Sequence, residues 1–155
     1  MSRLLLVAAV VLSLTWVAAL AAAPASLRSP AAAVRAVAAV PYVIGSRVCH
    51  QAAERSFSLA GAPLPVCARC TGLYAGVPFG ILAGLALRRP GTSPRPRAWR
   101  LLAWAALPTA LSVLVERAGV APVPGWVRAV LGAVLSGTAA FVIAHQVRAE
   151  EHAGR

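Results

Sequence analysis

All the cysteines of this 155-residue chain fall in one short segment, and a histidine lies among them. Cys49 and His50 are adjacent, and Cys67 and Cys70 follow as a C-x-x-C pair. Three thiols and an imidazole are the donor set of a Cys3His metal site, whereas a C-x-x-C pair alone is also the spacing of a dithiol redox centre. The segment 45–70 therefore supports either metal binding or thiol–disulfide exchange.

The metal hypothesis has two forms. Cys67 and Cys70 lie one helical turn apart, so both sulfurs can point to the same side, and zinc is the favoured metal. Cys49 and His50 would complete four ligands by folding back. Adjacent residues can both ligate only with an irregular backbone, so three thiolates completed by water or another group form the second version. Haem attachment is excluded, because Thr71 stands where the C-x-x-C-H motif requires histidine.

Two other interpretations of this segment stay open. A C-x-x-C pair at the surface end of a span is similar to that of small four-helix thiol oxidoreductases, which pass electrons to a membrane quinone. Positively charged neighbours such as Arg69 also favour a reactive thiolate. A relay of two disulfides needs four cysteines, so a partner protein would have to supply one thiol. In the structural alternative the cysteines only pack or form one disulfide, and the chain is an accessory membrane subunit. In each case we expect ion pairs among Glu54, Arg55 and Arg69 to fix the loop.

The composition is that of an integral membrane protein. Hydrophobic residues make up 59% and charged residues 12% of the sequence, and the apolar residues form long runs. Arginine supplies all the basic side chains behind the formal net charge of +11, since lysine is absent, and this usage indicates a GC-rich, bacterial coding sequence. The arginines lie between apolar runs rather than in one basic domain, so nucleic-acid binding is not expected.

Four apolar runs predict an all-α membrane protein with a bundle of about four transmembrane helices in a single domain, residues 1–155. The predicted spans cover residues 4–23, 71–87, 101–115 and 127–147, with the Cys/His loop 45–70 before the second span. The first run is interpreted as an uncleaved anchor, with a signal peptide cleaved after Ala25 as the alternative. Residues 31–44, interrupted by Arg35 and Pro41, are predicted to form an interfacial or re-entrant helix.

The distribution of arginine predicts how the bundle is oriented. The loop 88–100 holds the densest group of arginines, so the positive-inside tendency places it in the cytoplasm together with both termini. The Cys/His loop 45–70 then lies on the other side of the membrane. We expect a multi-pass protein of a bacterial inner or plasma membrane, in contact with the lipid bilayer.

Small residues recur at every fourth position of the second predicted span. The repeat consists of Gly72, Gly76, Gly80 and Gly84. The fourth span carries a similar stripe of Gly132, Ser136, Ala140 and Ala144. Because there is little hydrophobic drive between helices in lipid, close packing of small residues is a main source of attraction. We expect the two stripes to face each other, a second copy of the chain or a membrane partner.

The Cys/His loop also carries a family resemblance. The relevant segments are Cys49-His50-Gln51, Glu54-Arg55-Ser56-Phe57 and Pro65-Val66-Cys67-Ala68-Arg69-Cys70-Thr71-Gly72. This CHQ…ERSF…PVCARCTG pattern resembles the signature of a prokaryotic family of small integral membrane proteins of unknown function. The resemblance implies a membrane location and an important Cys–His loop, and it supplies no activity, substrate or cofactor. With no phosphate loop or nucleotide motif in the sequence, metal binding at the membrane surface is the favoured function.

Overall fold

The structure is a computed structural model that describes residues 2–87 and 95–153. Its elements in chain order are α1 (Ser2–Ser26), α2 (Ala32–Val48), a 3-10 turn (Ala53–Arg55), β1 (Ser58–Leu59), β2 (Ala62–Pro63), α3 (Ala68–Ala86), α4 (Arg95–Arg117) and α5 (Gly125–Ala153). The prediction of a mostly helical protein is thereby confirmed. Residues 88–94 of the predicted arginine-rich loop 88–100 lie outside the described residues, and the rest of that loop belongs to α4.

Within the described residues, three helices are long and apolar enough to cross a membrane. They are Leu4–Ser26, Ala98–Arg117 and Gly125–Arg148. The predicted second span, now α3, is not among them, because Arg69, four glycines and Pro78 lower its hydropathy. The count of four spans therefore stays a prediction. Pro78 and Pro108 lie inside continuous helices, as the sequence predicts.

The predicted interfacial segment forms α2, which extends to Val48, four residues beyond the predicted end. Pro41 lies within this helix and is buried, as is Gly45. By contrast, Val37 and Val43 are exposed along with several other valines of α2. An apolar surface of this kind on a helix next to a membrane span is typical of contact with the lipid interface.

The helix α3 packs mainly on α5 and also contacts α1. All four glycines of its stripe are buried. A β-carbon on Gly72 would overlap the carbonyl oxygen of Ala129, and one on Gly80 would overlap the carbonyl oxygen of Gly137. The structure thus uses the stripe within the chain, where it brings the backbones of two helices into direct contact.

The two ends of the α3–α5 pair are held by different contacts. At the C-terminal end of α3, the Arg148 guanidinium donates a hydrogen bond to the carbonyl oxygen of Leu85. A small apolar cluster of Leu6, Ile81, Ala140 and Ala144 joins α1, α3 and α5. At the other end, Gly132 lies against the carbonyl oxygen of Arg69, the residue between Cys67 and Cys70. The glycine contacts of the bundle therefore reach into the C-x-x-C turn.

The substitution Gly80→Ala tests this close approach. A methyl group at this position meets the backbone of α5, which cannot move aside as a flexible side chain can. We expect the free energy of unfolding to fall by about 1–3 kcal/mol. The matched control is Gly125→Ala, since its β-carbon would lie 3.5 Å from Phe57 and 3.7 Å from Ala68, at ordinary contact distance. Unfolding of both variants in detergent should separate them, and equal stability would contradict the packing described.

Candidate metal centre

Three cysteine sulfurs come together at one end of the bundle. The Sγ atoms of Cys49, Cys67 and Cys70 all lie within 4.8 Å of one another. The three thiols are free and partly buried. Sulfurs bound tetrahedrally to one zinc ion at 2.3 Å stand about 3.8 Å apart, so a shift of about 1 Å at most would bring them to that spacing. A disulfide, in contrast, requires two sulfurs about 2.05 Å apart.

Helix ends position these three thiols. Cys49 caps the C-terminus of α2, where its N–H donates to the carbonyl oxygen of Gly45 at 2.8 Å. Cys67 caps the N-terminus of α3, and its own N–H donates to the Cys49 Sγ at 3.2 Å. Cys70 follows in the first turn of α3. Because the N-terminus of a helix carries partial positive charge, this placement favours a thiolate at Cys67.

Gln51 holds the segment after α2 against the segment before α3. Its side-chain Nε2 donates to the carbonyl oxygens of Tyr42 and Pro65, both at 2.7 Å. The Tyr42 hydroxyl donates to the carbonyl oxygen of Pro63 at 2.8 Å, which links α2 itself to the segment before α3. Val66, next to Cys67, is fully buried. Gln51 thus brings Cys49 to the C-x-x-C turn without itself reaching the sulfurs.

His50 does not join the sulfur cluster. The residue is exposed, while the neighbouring Cys49 is partly buried and Gln51 has a positive φ of 50°. This left-handed conformation turns the chain immediately after His50. Of the four predicted ligands, the structure brings the three thiols together and leaves the imidazole outside the group.

Hydrogen bonding between the thiols separates their acidities. A hydrogen bond from Cys70 lowers the pKa of Cys67 to about 5, and a contact with Cys49 acts in the same direction. The same hydrogen bond raises the pKa of Cys70 well above its usual range, reinforced by burial. The thiolate of Cys67 is therefore favoured at neutral pH, and a nearby cation would be needed to ionise Cys70.

Arg69 makes different ion-pair contacts from those the sequence predicts. Its guanidinium donates to Glu116 Oε2 at 3.1 Å and to the Ser112 hydroxyl at 3.0 Å, both on α4. Glu54 and Arg55 lie exposed on the 3-10 turn, and neither pairs with Arg69. The predicted trio is thus replaced by a contact between distant parts of the chain.

A second arginine completes this ion-pair network. Arg128, in the first turn of α5, donates to the other carboxylate oxygen of Glu116. The exposed fractions of the three side chains are 21% for Arg69, 11% for Glu116 and 13% for Arg128, so the charges are largely shielded from solvent. We call Arg69, Glu116 and Arg128 the Arg–Glu–Arg network. It links the first turns of α3 and α5 to the last turn of α4.

Sequence reasoning did not assign roles to Gln51, Ser112, Glu116 or Arg128. A signal was present for Glu116, because this acidic residue directly follows the predicted span 101–115, and Arg69 and Arg128 are predicted at the same membrane surface. Gln51 belongs to the Cys49-His50-Gln51 part of the family signature, but nothing in the sequence indicates its two acceptors, because both are backbone carbonyls.

The fold and the site define a helical integral membrane protein with a thiol cluster at one end of its bundle. Comparison with protein families leads to a more specific statement: residues 49–143 match the DUF2085 family, described as predicted membrane proteins, and the chain belongs to that family. The matched range includes all three cysteines, Glu116 and Arg128.

Two archaeal proteins are similar to this chain. An uncharacterised protein of Methanocaldococcus jannaschii is 30% identical over 102 residues, which cover 66% of this chain and 65% of that protein. An uncharacterised protein of Methanothermobacter thermautotrophicus is 55% identical over 29 residues, 19% of this chain and 26% of the relative. The chain thus spans less than two thirds of the length of these relatives. No solved structure matches the chain.

The substitution Gln51→Glu tests the link between α2 and the C-x-x-C turn. A carboxylate has nearly the same shape as the amide, but it would face two carbonyl oxygens with no proton to donate. We expect the free energy of unfolding to fall by about 1–3 kcal/mol. Gln146→Glu is the matched control, because Gln146 is exposed on α5. Thermal unfolding of both variants should separate them, and equal melting temperatures would show that the Gln51 link contributes nothing.

Proposed function

We propose that this protein binds one divalent metal ion, zinc in the first place, through Cys49, Cys67 and Cys70. The observation that carries the proposal is the convergence of all three sulfurs within 4.8 Å. Dithiol chemistry needs only two of them, and it gives no reason for a third thiol held there from a different helix. Thiolate sulfur is a preferred ligand of zinc, and a bound divalent cation would favour ionisation of all three thiols.

The proposed site has three protein ligands and one open position. Among the described residues, the potential metal ligands that come together at this site are Cys49, Cys67 and Cys70. His50 is exposed and does not belong to the group. Structural zinc sites are usually closed by four protein ligands, whereas catalytic sites keep one position for water or substrate. A site with three protein thiolates and one exchangeable ligand therefore resembles a catalytic zinc site more than a structural one. The molecule bound at the fourth position would be chemically changed or passed on.

We infer that α3 also crosses the membrane, which gives four spans. Its 19 residues correspond to about 28 Å, close to the thickness of a hydrocarbon core. Its burial against α5 and α1 removes the need for a strongly apolar surface. Contacts join α3 to α5 both near Arg69 and near Leu85, as expected for two helices that run side by side through the bilayer.

The arginine distribution then supports an extracytoplasmic metal site in a bacterial plasma membrane. The C-x-x-C turn is at the opposite end of α3 from the arginine-rich segment 88–100, which the positive-inside tendency assigns to the cytoplasm. On this orientation the site would meet metal ions or ligands from outside the cell.

A thiol oxidoreductase is the second candidate function. It is supported by the C-x-x-C spacing and by the hydrogen bond from Cys70 that favours the thiolate form of Cys67. In this case Cys67 and Cys70 would pass two electrons and two protons to a disulfide or quinone and become a disulfide. Cys49 would then be the thiol that is left over.

Metal content distinguishes these functions. The wild-type protein and three variants, Cys49→Ser, Cys67→Ser and His50→Ala, should be purified in mild detergent with reductant and analysed for bound metals. We expect about one zinc ion per chain in the wild type and in His50→Ala, and little in either serine variant, because a neutral hydroxyl cannot replace a thiolate ligand. His50→Ala is the matched control, since it removes a predicted ligand that the structure leaves outside the cluster.

Four other outcomes would contradict the proposal. Zinc retained in Cys49→Ser would exclude the three-thiolate site. Zinc lost in His50→Ala would restore the four-ligand site. A metal-free wild type with a reversible disulfide between Cys67 and Cys70 would favour the oxidoreductase, and unreactive thiols without metal would leave an accessory, structural role.

A further inference from the structure

Two independent contacts hold the C-x-x-C turn from outside the Cys/His loop. The Arg69 side chain reaches α4, where it donates to Glu116 and Ser112. The Arg69 carbonyl oxygen lies against Gly132 of α5, so closely that a β-carbon there would overlap it. Arg69 thus has its side chain fixed by one helix and its main chain by another.

Glu116 is the centre of the first contact. It accepts from Arg69 with one carboxylate oxygen and from Arg128 with the other. Its side chain is 11% exposed, and it is the acidic partner in both ion pairs formed by the described residues. Without its negative charge, Arg69 and Arg128 would be two shielded like charges that repel each other, and Arg69 would lose its strongest contact with α4.

We propose that Glu116 is a positioning residue for the metal centre, acting through Arg69 on the spacing of the Cys67 and Cys70 sulfurs; this inference rests on the proposed metal function. The two sulfurs flank Arg69 in the chain, so a rotation of the first turn of α3 would move both relative to Cys49. Partners outside the ligand set orient metal ligands in this manner, and their removal typically lowers metal affinity 10–100-fold.

The coupling between metal binding and the docking of Arg69 on α4 is reciprocal. If docking of Arg69 on α4 favours metal binding, metal binding must favour that docking by the same factor. The metal centre would therefore stabilise contact between α4 and the α3–α5 pair, although none of its three ligands is on α4. A ligand at the membrane surface could in this way influence how the helices pack.

The test compares Glu116→Gln with Glu54→Gln. Both substitutions remove one negative charge and keep the side-chain shape, but only Glu116 contacts Arg69. Cobalt(II) serves as the probe, because its absorption bands report the number and geometry of thiolate ligands. We expect Glu116→Gln to bind cobalt at least about tenfold more weakly and to show altered bands at saturation. Glu54→Gln should match the wild type in both measurements.

A milder variant separates positioning from loss of the fold. Ser112→Ala removes the uncharged partner of Arg69, together with the hydrogen bond of the Ser112 hydroxyl to the Thr109 carbonyl oxygen in the same helix, and it keeps the ion pairs. We expect it to weaken cobalt binding about two- to fivefold, less than Glu116→Gln, since Arg69 loses one hydrogen bond and keeps its ion pair with Glu116. The melting-temperature increase caused by cobalt should shrink in the same order. An equal increase in all variants would mean that the network stabilises the fold alone, and it would overturn the inference.

The outcomes for the two proposals are distinguishable. If the wild type binds cobalt and Glu116→Gln binds it with the same affinity and the same absorption bands, the positioning role is overturned and the metal function still stands. Failure of the wild type to bind cobalt or zinc would instead contradict the metal function. In that case, alkylation of the metal-free thiols decides on Glu116: faster reaction of Cys67 and Cys70 in Glu116→Gln than in Glu54→Gln supports positioning, and equal rates overturn it.

Discussion

The contact of α3 with α5, backbone against backbone, is the constraint on which the rest of the structure depends. It is possible because the α3 surface facing α5 carries glycine at four successive turns, so that carbonyl oxygens of α5 occupy the space of absent side chains. The contact continues to Gly132, which meets the carbonyl oxygen of Arg69. Cys67 and Cys70 flank that residue, and their positions are therefore set by helix packing rather than by the loop alone.

The electrostatic arrangement at this end of the bundle follows from the same packing. Glu116 lies in the last turn of α4, where the dipole of its own helix disfavours a negative charge. It is compensated by Arg69 and Arg128 and by the N-terminal turns of α3 and α5, which supply partial positive charge. Removing one partner from such a shielded group leaves a charge without compensation, so the three side chains are mutually dependent. The Arg–Glu–Arg network thus joins three helices beside the thiol cluster.

Local patterns in the sequence predicted those parts of the structure that depend on local spacing. The four-residue repeat of glycine predicted a helix face for close packing, and the C-x-x-C spacing predicted two neighbouring thiols at the start of α3. The partner of Arg69 could not be predicted in this way, because Glu116 is 47 residues away whereas Glu54 is close in sequence. Similarly, the exposure of His50 depends on the left-handed backbone of Gln51, for which the residue type gives no clear signal. The number of spans stays a prediction because α3 has the composition of a packed helix rather than a lipid-facing one.

X-ray absorption spectroscopy of the zinc-loaded, reduced protein in detergent tests the central claim most directly, since it counts the atoms bound to the metal and identifies sulfur. The account predicts three sulfur ligands at about 2.3 Å and one oxygen or nitrogen ligand at about 2.0–2.2 Å, without the outer-shell scattering of an imidazole ring. A spectrum with two or fewer sulfur ligands would contradict it, because Cys49, Cys67 and Cys70 would then not share one metal ion.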